Sequence, residues 1–223
     1  MYEALQAWRE TLAALPVQEA AGLRDGKTAL VIVDMVNGFL TEGPLSSPRS
    51  ASVLPACEDL LRAGLGWGHA PVMFADRHDP DCIEFQSFPP HCIRGTSEAE
   101  IARSLREIGS DLNPRRNWDT TAIVIEKNST NGAITPEFQK WLADNADVTR
   151  IVVCGVCTDI CVMQFCLTLK TLCNQADRPM EVMVPVNAVE TYDAPGHNAD
   201  LCGSVALQLM AQAGITLVKE IVY

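Results

Sequence analysis

Residues 150–162 read RIVVCGVCTDICV, an apolar run that leads into polar residues able to begin a helix. The part from 150 to 155 is short and β-branched, which is typical of a strand covered on both faces. Thr158 or Asp159 can cap a helix that then continues to Cys173. A buried strand followed at once by a helix indicates the repeating unit of a parallel α/β sheet.

Four further runs have the same strand-like character, and a fifth is weaker. They are ALVIVD (29–34), PVMFAD (71–76), TAIVIEK (121–127), EVMVPV (181–186) and, less clearly, 215–218. Helices are predicted between them at 58–66, at 97–108 with a Ser97-x-x-Glu100 capping box, from Pro136, and up to about 213 before Gly214. The alternation predicts a single α/β domain over 1–223, an open parallel sheet of about six strands with helices on both faces.

The composition and charge indicate a folded globular protein and disfavour some kinds of partner. Hydrophobic residues make up 48% and charged residues 20%, as in folded globular proteins. The net charge of −11 argues against nucleic acid or an anionic membrane surface as a partner. No apolar run approaches the ~20 residues that span a bilayer. Residues 1–25 are predicted to be an N-terminal helical extension, not a signal peptide, because Leu5, Trp8, Leu12 and Leu15 recur at helical spacing.

The cysteine content indicates the compartment. The chain has nine cysteines, an odd number, and they are spread through the predicted core segments. With no export signal, this usage favours a reducing cytosol, so we expect a cytoplasmic protein.

Chemically active side chains follow the predicted strands. In open parallel sheets, ligands bind at the carboxyl ends of the strands. The first strand ends in Asp34, the second in Asp76 followed by His78, the third in Lys127, and the fourth leads to Cys161. We therefore expect a functional site at this edge of the sheet.

Cys161 is the strongest candidate for a nucleophile. At the start of a helix, the helix dipole and backbone N–H groups favour a thiolate. The alternative is a buried cysteine that only packs, which is the interpretation given to Cys154, Cys157, Cys166 and Cys173. A zinc site at Cys157 and Cys161 is disfavoured because no second cysteine pair has ligand spacing.

A thiol nucleophile needs a proton acceptor, which is usually histidine. The chain has four histidines, His69, His78, His91 and His197, and only the pair near the second strand could approach Cys161. Asp34 and Lys127 are better placed, because a carboxylate beside a cation can take a thiol proton and return it to a leaving amine.

Three motifs resemble the Asp–Lys–Cys triad of the isochorismatase-like cysteine hydrolases. They are IVDMVNGF with Asp34, IEKNSTNGA with Lys127 and CGVCTDICV with Cys161. The resemblance extends from about residue 27 to the C-terminus and includes TYDAPGHNADL. It implies a Rossmann-like three-layer fold, a catalytic triad of these three residues, and a cis peptide bond between Val156 and Cys157.

Residues 76–96, DRHDPDCIEFQSFPPHCIRGT, are similar to the metal-binding segment of the nicotinamidase branch. Asp76 and His78 are two residues apart, so on an extended strand end both side chains point the same way. With His91, they suit a divalent ion, with zinc favoured and iron or manganese possible. Glu84 is similar in place to a further ligand used in some nicotinamidases, directly or through water.

The resemblance also implies a reaction. The metal holds the pyridine nitrogen of nicotinamide, Asp34 deprotonates Cys161, the thiolate attacks the carboxamide carbon, and Lys127 stabilises the charges. The backbone N–H groups of Cys157 and Cys161 form the oxyanion hole. The implied substrate-binding residues are Phe39, Val156 and Phe88, the last at a position where many nicotinamidases have tryptophan.

Two other interpretations stay open. One is a related amidohydrolase that acts on a different small amide or carbamoyl compound. The other is a non-catalytic binding protein that has kept the fold and would have an unreactive Cys161. The resemblance also implies a homodimer or tetramer, in which the N-terminal helix could contribute to an interface.

Overall fold

The apolar runs of the sequence form a parallel sheet, seen here in a computed structural model that describes residues 2–111 and 122–223. In chain order the strands are β1 (Gln18–Glu19), β2 (Thr28–Val33), β3 (Val72–Asp76), β4 (Ile123–Lys127), β5 (Arg150–Val156), β6 (Glu181–Pro185), β7 (Val189–Glu190), β8 (Thr216–Val218) and β9 (Ile221–Val222). Each of the six predicted strands is present, with its described ends within two residues of the prediction. Thr121, the first residue of one predicted strand, lies outside the described residues.

The strand order places a switch point at the centre of the sheet. The order is β4-β3-β2-β5-β6-β8, the short β7 adds to β5, and all these pairs are parallel. A separate two-stranded sheet joins β1 to β9. From β2 the chain first builds outward to β3 and β4, then returns to the other side of β2 as β5. Such a reversal opens a crevice at the carboxyl ends of the two central strands.

β2 shows why a continuous apolar run is needed at the centre. Ala29, Val31 and Val33 belong to one hydrophobic cluster, whereas Leu30 and Ile32 belong to the other. Successive strand side chains point to opposite faces, and here both faces are covered. The α/β class predicted from the sequence is therefore confirmed.

Two layers of helices provide this cover. The helices are α1 (Tyr2–Ala13), α2 (Asn37–Leu40), α3 (Pro48–Ser52), α4 (Leu54–Gly64), α5 (Arg103–Asp111), α6 (Pro136–Asp144), α7 (Met163–Gln175) and α8 (Ala199–Gln212). Side chains of α4 and α5 enter one cluster, and those of α6, α7 and α8 enter the other. As predicted, α6 begins at Pro136, and the Thr135 hydroxyl caps it by accepting from the Phe138 N–H.

The helix expected at 58–66 already begins at Leu54, as α4, and two further helix predictions are wrong in how the helix starts. The capping box at Ser97 begins only a 3₁₀ turn, and α5 starts at Arg103. The reason is tertiary: Glu100 O and Ala102 N bond Asn37 N and Met35 O in the segment after β2, which holds residues 100–102 extended. The last of these errors concerns Thr158 and Asp159, because the N-cap is Cys157 and no side chain caps the turn.

The N-terminal helix packs against its own chain. The Trp8 indole N–H donates to the Ser204 carbonyl of α8 at 2.9 Å. Leu12 and Leu15 pack on the same cluster as α8. The side chain of Leu5 lies outside the described residues. Among the described helices, none has the length and apolarity needed to cross a membrane.

Candidate active site

The carboxyl ends of four adjacent strands converge on one site. Asp34 follows β2 and adopts a left-handed backbone with φ of 52°. Asp76 and Lys127 end β3 and β4 and are direct neighbours in the strand register. Cys161 follows β5 in a π-helical turn, Thr158–Val162, that leads into α7. The left-handed conformation costs a non-glycine residue free energy, and such strain concentrates at functional sites.

Lys127 joins the groups of this site. Its ammonium nitrogen lies 2.9 Å from Asp34 Oδ2, 2.7 Å from Asp76 Oδ1 and 3.9 Å from Cys161 Sγ. It also donates to the Ser129 carbonyl at 3.0 Å. All three partner side chains are buried. One buried cation therefore contacts two carboxylates and a thiol.

This arrangement separates the proton affinities of the two carboxyl groups. Burial, together with the nearby charge of Asp76, raises the pKa of Asp34 to about 7, although Lys127 opposes the rise. Burial also acts to raise the pKa of Asp76, but Lys127 and hydrogen bonds from His78 and His91 outweigh it and hold that pKa well below its usual range. Asp76 therefore stays ionised, whereas Asp34 can exchange a proton near neutral pH.

The thiol of Cys161 is protonated at rest. Burial raises its pKa well above the ordinary value, and the ammonium of Lys127 offsets only part of that rise. A nearby base is therefore needed to produce the thiolate. Neither carboxylate oxygen of Asp34 receives a well-aligned hydrogen bond from the described residues. Asp34 thus has acceptor capacity to spare in the immediate surroundings of the thiol.

Four side chains beside this cluster could hold a metal ion. Asp76, His78, Glu84 and His91 each offer a ligand atom, and these atoms all lie within 4.8 Å of one another. The Nε2 atoms of both histidines are 3.0 Å from Asp76 Oδ2, and Glu84 Oε1 is 3.7 Å from His78 Nε2. The other oxygen of Glu84 accepts from the Thr130 N–H at 3.0 Å.

The outer contacts of the two histidines fit a metal site. His91 Nδ1 bonds the Pro89 carbonyl at 2.8 Å, and His78 Nδ1 bonds the Asn128 side-chain oxygen at 3.0 Å. Because both partners are acceptors, each Nδ1 carries a hydrogen and each Nε2 faces inward, where it donates to Asp76 while protonated and presents a lone pair once that proton leaves. Two such nitrogen atoms converge on the Asp76 carboxylate, an arrangement that a divalent cation stabilises. The donor set therefore fits the predicted metal.

The nucleophile and the metal group line the same cavity. Its walls are Phe39, Leu45, Asp76, Glu84, Phe88, His91, Thr130, Cys157, Ile160, Cys161 and Tyr192. Phe39 and Phe88 flank His91, with ring centroids 5.6 and 6.2 Å from its ring. Val156 is placed differently from the prediction, since it is fully buried in the core and is not among the residues lining this cavity.

The backbone between β5 and Cys161 has two special features. The Val156–Cys157 peptide bond is cis, as the resemblance implies. Gly155 has φ of 114°, and a Cβ there would lie 2.0 Å from the Val33 carbonyl oxygen. Only glycine lets β5 approach β2 this closely, which brings Cys161 toward Asp34.

Comparison with known proteins agrees with this geometry. The family model for the isochorismatase domain matches residues 28–215. The chain belongs to the isochorismatase family. Nicotinamidase 1 of Arabidopsis thaliana is 32% identical to this isochorismatase-family chain over 220 residues, which is 92% of the chain and 88% of the relative.

Solved structures support the same fold for this isochorismatase-family chain. A nicotinamidase of Bacillus subtilis superposes with a TM-score of 0.71 at 22% identity, covering 86% of this chain and 99% of that one. A pyrazinamidase of Pyrococcus horikoshii, solved in complex with zinc, has a TM-score of 0.66 at 25% identity with the same coverage.

Sequence reasoning missed four residues that line the isochorismatase-family cavity, Leu45, Thr130, Ile160 and Tyr192. Tyr192 lines it, although the residue lies far along the chain from the strands that carry the triad. Its ring stacks on His197 with a centroid distance of 4.1 Å and an interplanar angle of 9°. Tyr192 belongs to the segment TYDAPGHNADL, which resembles the family. The sequence of this segment alone does not predict which of its side chains reach the cavity.

Proposed function

We propose that this chain is a nicotinamidase that hydrolyses nicotinamide to nicotinate and ammonia through a thioester on Cys161. The observation that carries the proposal is the position of Lys127, whose ammonium contacts Asp34 and Asp76 at 2.9 and 2.7 Å. Asp76 also belongs to the metal group. Lys127 therefore contacts both the residues around the nucleophile and a residue of the proposed ring-binding site. The similarity to a plant nicotinamidase over 92% of the chain supports the same substrate.

The first half of the reaction forms the thioester. Asp34 takes the proton of Cys161, and Sγ forms a bond to the carboxamide carbon of the substrate. The negative charge that develops on the carbonyl oxygen accepts hydrogen bonds from the backbone N–H groups of Cys157 and Cys161. Asp34 then returns its proton to the amine, the C–N bond breaks and ammonia leaves.

The second half restores the enzyme. Water attacks the thioester carbon, and Asp34 accepts a proton from that water. The C–S bond breaks, Asp34 returns its proton to the thiolate, and the new carboxyl group loses its proton to solvent as nicotinate leaves. Throughout, Lys127 keeps a positive charge beside Asp34 and Cys161, since the two carboxylates raise the pKa of Lys127 despite burial, which lowers it.

We propose that Asp76, His78 and His91 bind a divalent metal ion, zinc before iron or manganese, with Glu84 as a further ligand or through water. When bound, the ion supplies a Lewis acid that holds the pyridine nitrogen and so fixes the ring relative to Cys161. Phe39 and Phe88 flank His91 and would pack on the two sides of that ring.

The remaining organisation is proposed from the sequence and the packing. We propose a single isochorismatase-like domain over 1–223. The extension predicted to be helical over 1–25 is helical only in part, because α1 ends at Ala13 and β1 then pairs with β9. We further propose that the protein is cytoplasmic, forms a homo-oligomer, and binds a small amide, not nucleic acid or membrane. The negative charge supports a partner other than nucleic acid or an anionic membrane, and the free cysteines support the cytoplasmic location.

The test is ammonia release from nicotinamide by purified protein. Wild type loaded with zinc should release ammonia from nicotinamide. Treatment with a chelator should remove most of this activity, and Cys161→Ala should be inactive. Cys166→Ala is a matched control, since Cys166 is another buried cysteine five residues along, packed in the core and outside the cavity. It should keep wild-type activity per folded molecule.

Two outcomes would overturn parts of the proposal. Robust turnover by Cys161→Ala would exclude the thioester mechanism. Failure of metal-loaded wild type on nicotinamide, with activity on another small amide that is indifferent to chelator, would replace the substrate and retain the nucleophile.

A further inference from the structure

A second group of metal-ligating side chains lies behind the wall of the cavity. Asp159, His197 and Cys202 each offer one ligand atom, and these atoms lie within 4.8 Å of one another. Asp159 belongs to the turn before α7, His197 to the loop before α8, and Cys202 to the first turns of α8. None of the three takes part in the reaction proposed above.

The geometry of His197 repeats the pattern of the first metal group. His197 Nδ1 bonds the backbone carbonyl of Tyr192 at 2.8 Å. A carbonyl can only accept, so Nδ1 carries a hydrogen and Nε2 faces the other side, where it pairs with a carboxylate while protonated and presents a lone pair once that proton leaves. On that side lies Asp159 Oδ2, at 2.7 Å. A backbone carbonyl that orients a histidine in this way is the usual outer contact of a metal ligand.

The carboxylate of Asp159 supplies an independent observation. Its Oδ1 is buried and has no hydrogen-bond partner among the described residues. A buried, unpaired carboxylate oxygen carries a desolvation cost that a bound cation removes. The three donors also differ in kind: carboxylate, imidazole and thiol are all ligands of zinc, and thiolate excludes magnesium and calcium as preferred ions.

An ion can reach this group from solvent. The side chains of His197 and Asp159 are 19% and 13% exposed. Asp159 and Cys202 lie at the edge of an open groove of about 270 Å³ between α7 and α8. Cys202 is a free thiol and half-buried. Water can therefore complete a four-coordinate site.

We propose that Asp159, His197 and Cys202 form a second zinc-binding site, distinct from the Asp76 group, with water as the fourth ligand. Cys202 loses its thiol proton to solvent when the ion binds, and any imidazolium form of His197 loses its Nε2 proton as well. The site stands behind Tyr192, whose ring stacks on His197 and lines the substrate cavity.

Metal stoichiometry tests the proposal. Chelator-treated protein is titrated with Zn²⁺ in competition with a chromophoric chelator. Wild type should bind two equivalents per chain, whereas Cys202→Ser and His91→Asn should each bind one, and the double variant none. The equivalent retained by each single variant shows that it is folded. Cys173→Ala, which changes a buried cysteine outside both groups, should bind two.

Cobalt spectra identify the ligands. Co²⁺ bound by a thiolate has a sulfur-to-metal charge-transfer band in the near ultraviolet. We expect this band in wild type and in His91→Asn and its loss in Cys202→Ser. A single equivalent in wild type that vanishes in His91→Asn, with no thiolate band, would overturn the proposal and leave Asp159 and His197 as a plain ion pair. Because neither readout uses nicotinamide, the outcome is independent of the proposed substrate, and a single equivalent with a thiolate band that is lost in Cys202→Ser would retain this site while overturning the Asp76 site.

Discussion

Lys127 holds two buried carboxylates, so its removal should destabilise the fold strongly. Its ammonium lies 2.9 Å from Asp34 and 2.7 Å from Asp76, with all three side chains at most 2% exposed. At an effective dielectric constant of about 20, each attraction is about 6 kcal/mol before the cost of desolvation is subtracted. Removing one partner of such a buried group leaves uncompensated charge and costs about 3–5 kcal/mol. We expect that loss for Lys127→Met, which keeps the apolar stem.

The assay is urea denaturation in the presence of chelator at pH 8. Lys140→Met is the matched control, because Lys140 pairs with Asp144 at the surface, with side chains 75% and 58% exposed. Its free energy of unfolding should change by less than about 1 kcal/mol. A Lys127 variant within about 1 kcal/mol of wild type at pH 8 would refute the reasoning.

The loss should also depend on pH. The pKa of Asp34 is already raised to about 7 in the folded protein, and without Lys127 it should rise further. A carboxyl whose folded pKa exceeds its unfolded value near 4 stabilises the fold fully below about pH 4, and this stabilisation is lost as the pH rises through the folded pKa. The variant should therefore be closer to wild type at pH 6 than at pH 8.

Four further predictions concern the site. The kcat/KM for nicotinamide should fall as the pH drops below about 7, because Asp34 must be ionised to act as the base; a pH–rate profile flat through this range would contradict that role. His91→Asn should lose the metal bound by the Asp76 group, as measured by elemental analysis. His69→Asn should retain that metal, because His69 bonds Asn145 and belongs to neither group of metal-ligating side chains. Tyr192→Ala should raise KM about tenfold, a change of ~1.4 kcal/mol, with a smaller effect on kcat. Tyr192→Phe, which keeps the ring, should resemble wild type in the same steady-state assay. If the alanine and phenylalanine variants had the same KM, the ring would not be a wall of the substrate cavity. Gly155→Ala should fail to fold by circular dichroism, because its Cβ would lie 2.0 Å from a carbonyl of the adjacent strand; a native spectrum would contradict this.

The strands were predictable because both faces of the sheet are covered. Continuous apolar runs such as 29–34 and 150–155 leave no polar side chain to mark a solvent face, so their lengths and positions can be found from composition alone. The rule that ligands bind at the carboxyl ends of strands then placed Asp34, Asp76 and Lys127 at one edge. It needed no knowledge of the strand order.

Long-range contacts explain what could not be predicted. The contact of Lys127 with both carboxylates depends on the strand order β4-β3-β2, which local patterns do not specify. The helix expected at 97–108 is interrupted because residues 100–102 bond the segment after β2. Asp159, which a local pattern suggests as a helix cap, instead pairs with His197, 38 residues further along the chain.

The most direct test of the nucleophile uses nicotinaldehyde labelled with ¹³C at the carbonyl carbon. This aldehyde presents the pyridine ring and an electrophilic carbon, but it has no leaving group, so attack by a thiolate stops at a thiohemiacetal. With metal-loaded wild type and with Cys166→Ala, we predict that the carbonyl resonance moves from the aldehyde to the thiohemiacetal region of the NMR spectrum and that added nicotinamide reverses the change. With Cys161→Ala the aldehyde resonance should persist. Formation of the same adduct by Cys161→Ala, or its absence in active wild type, would contradict the assignment of Cys161 as the nucleophile.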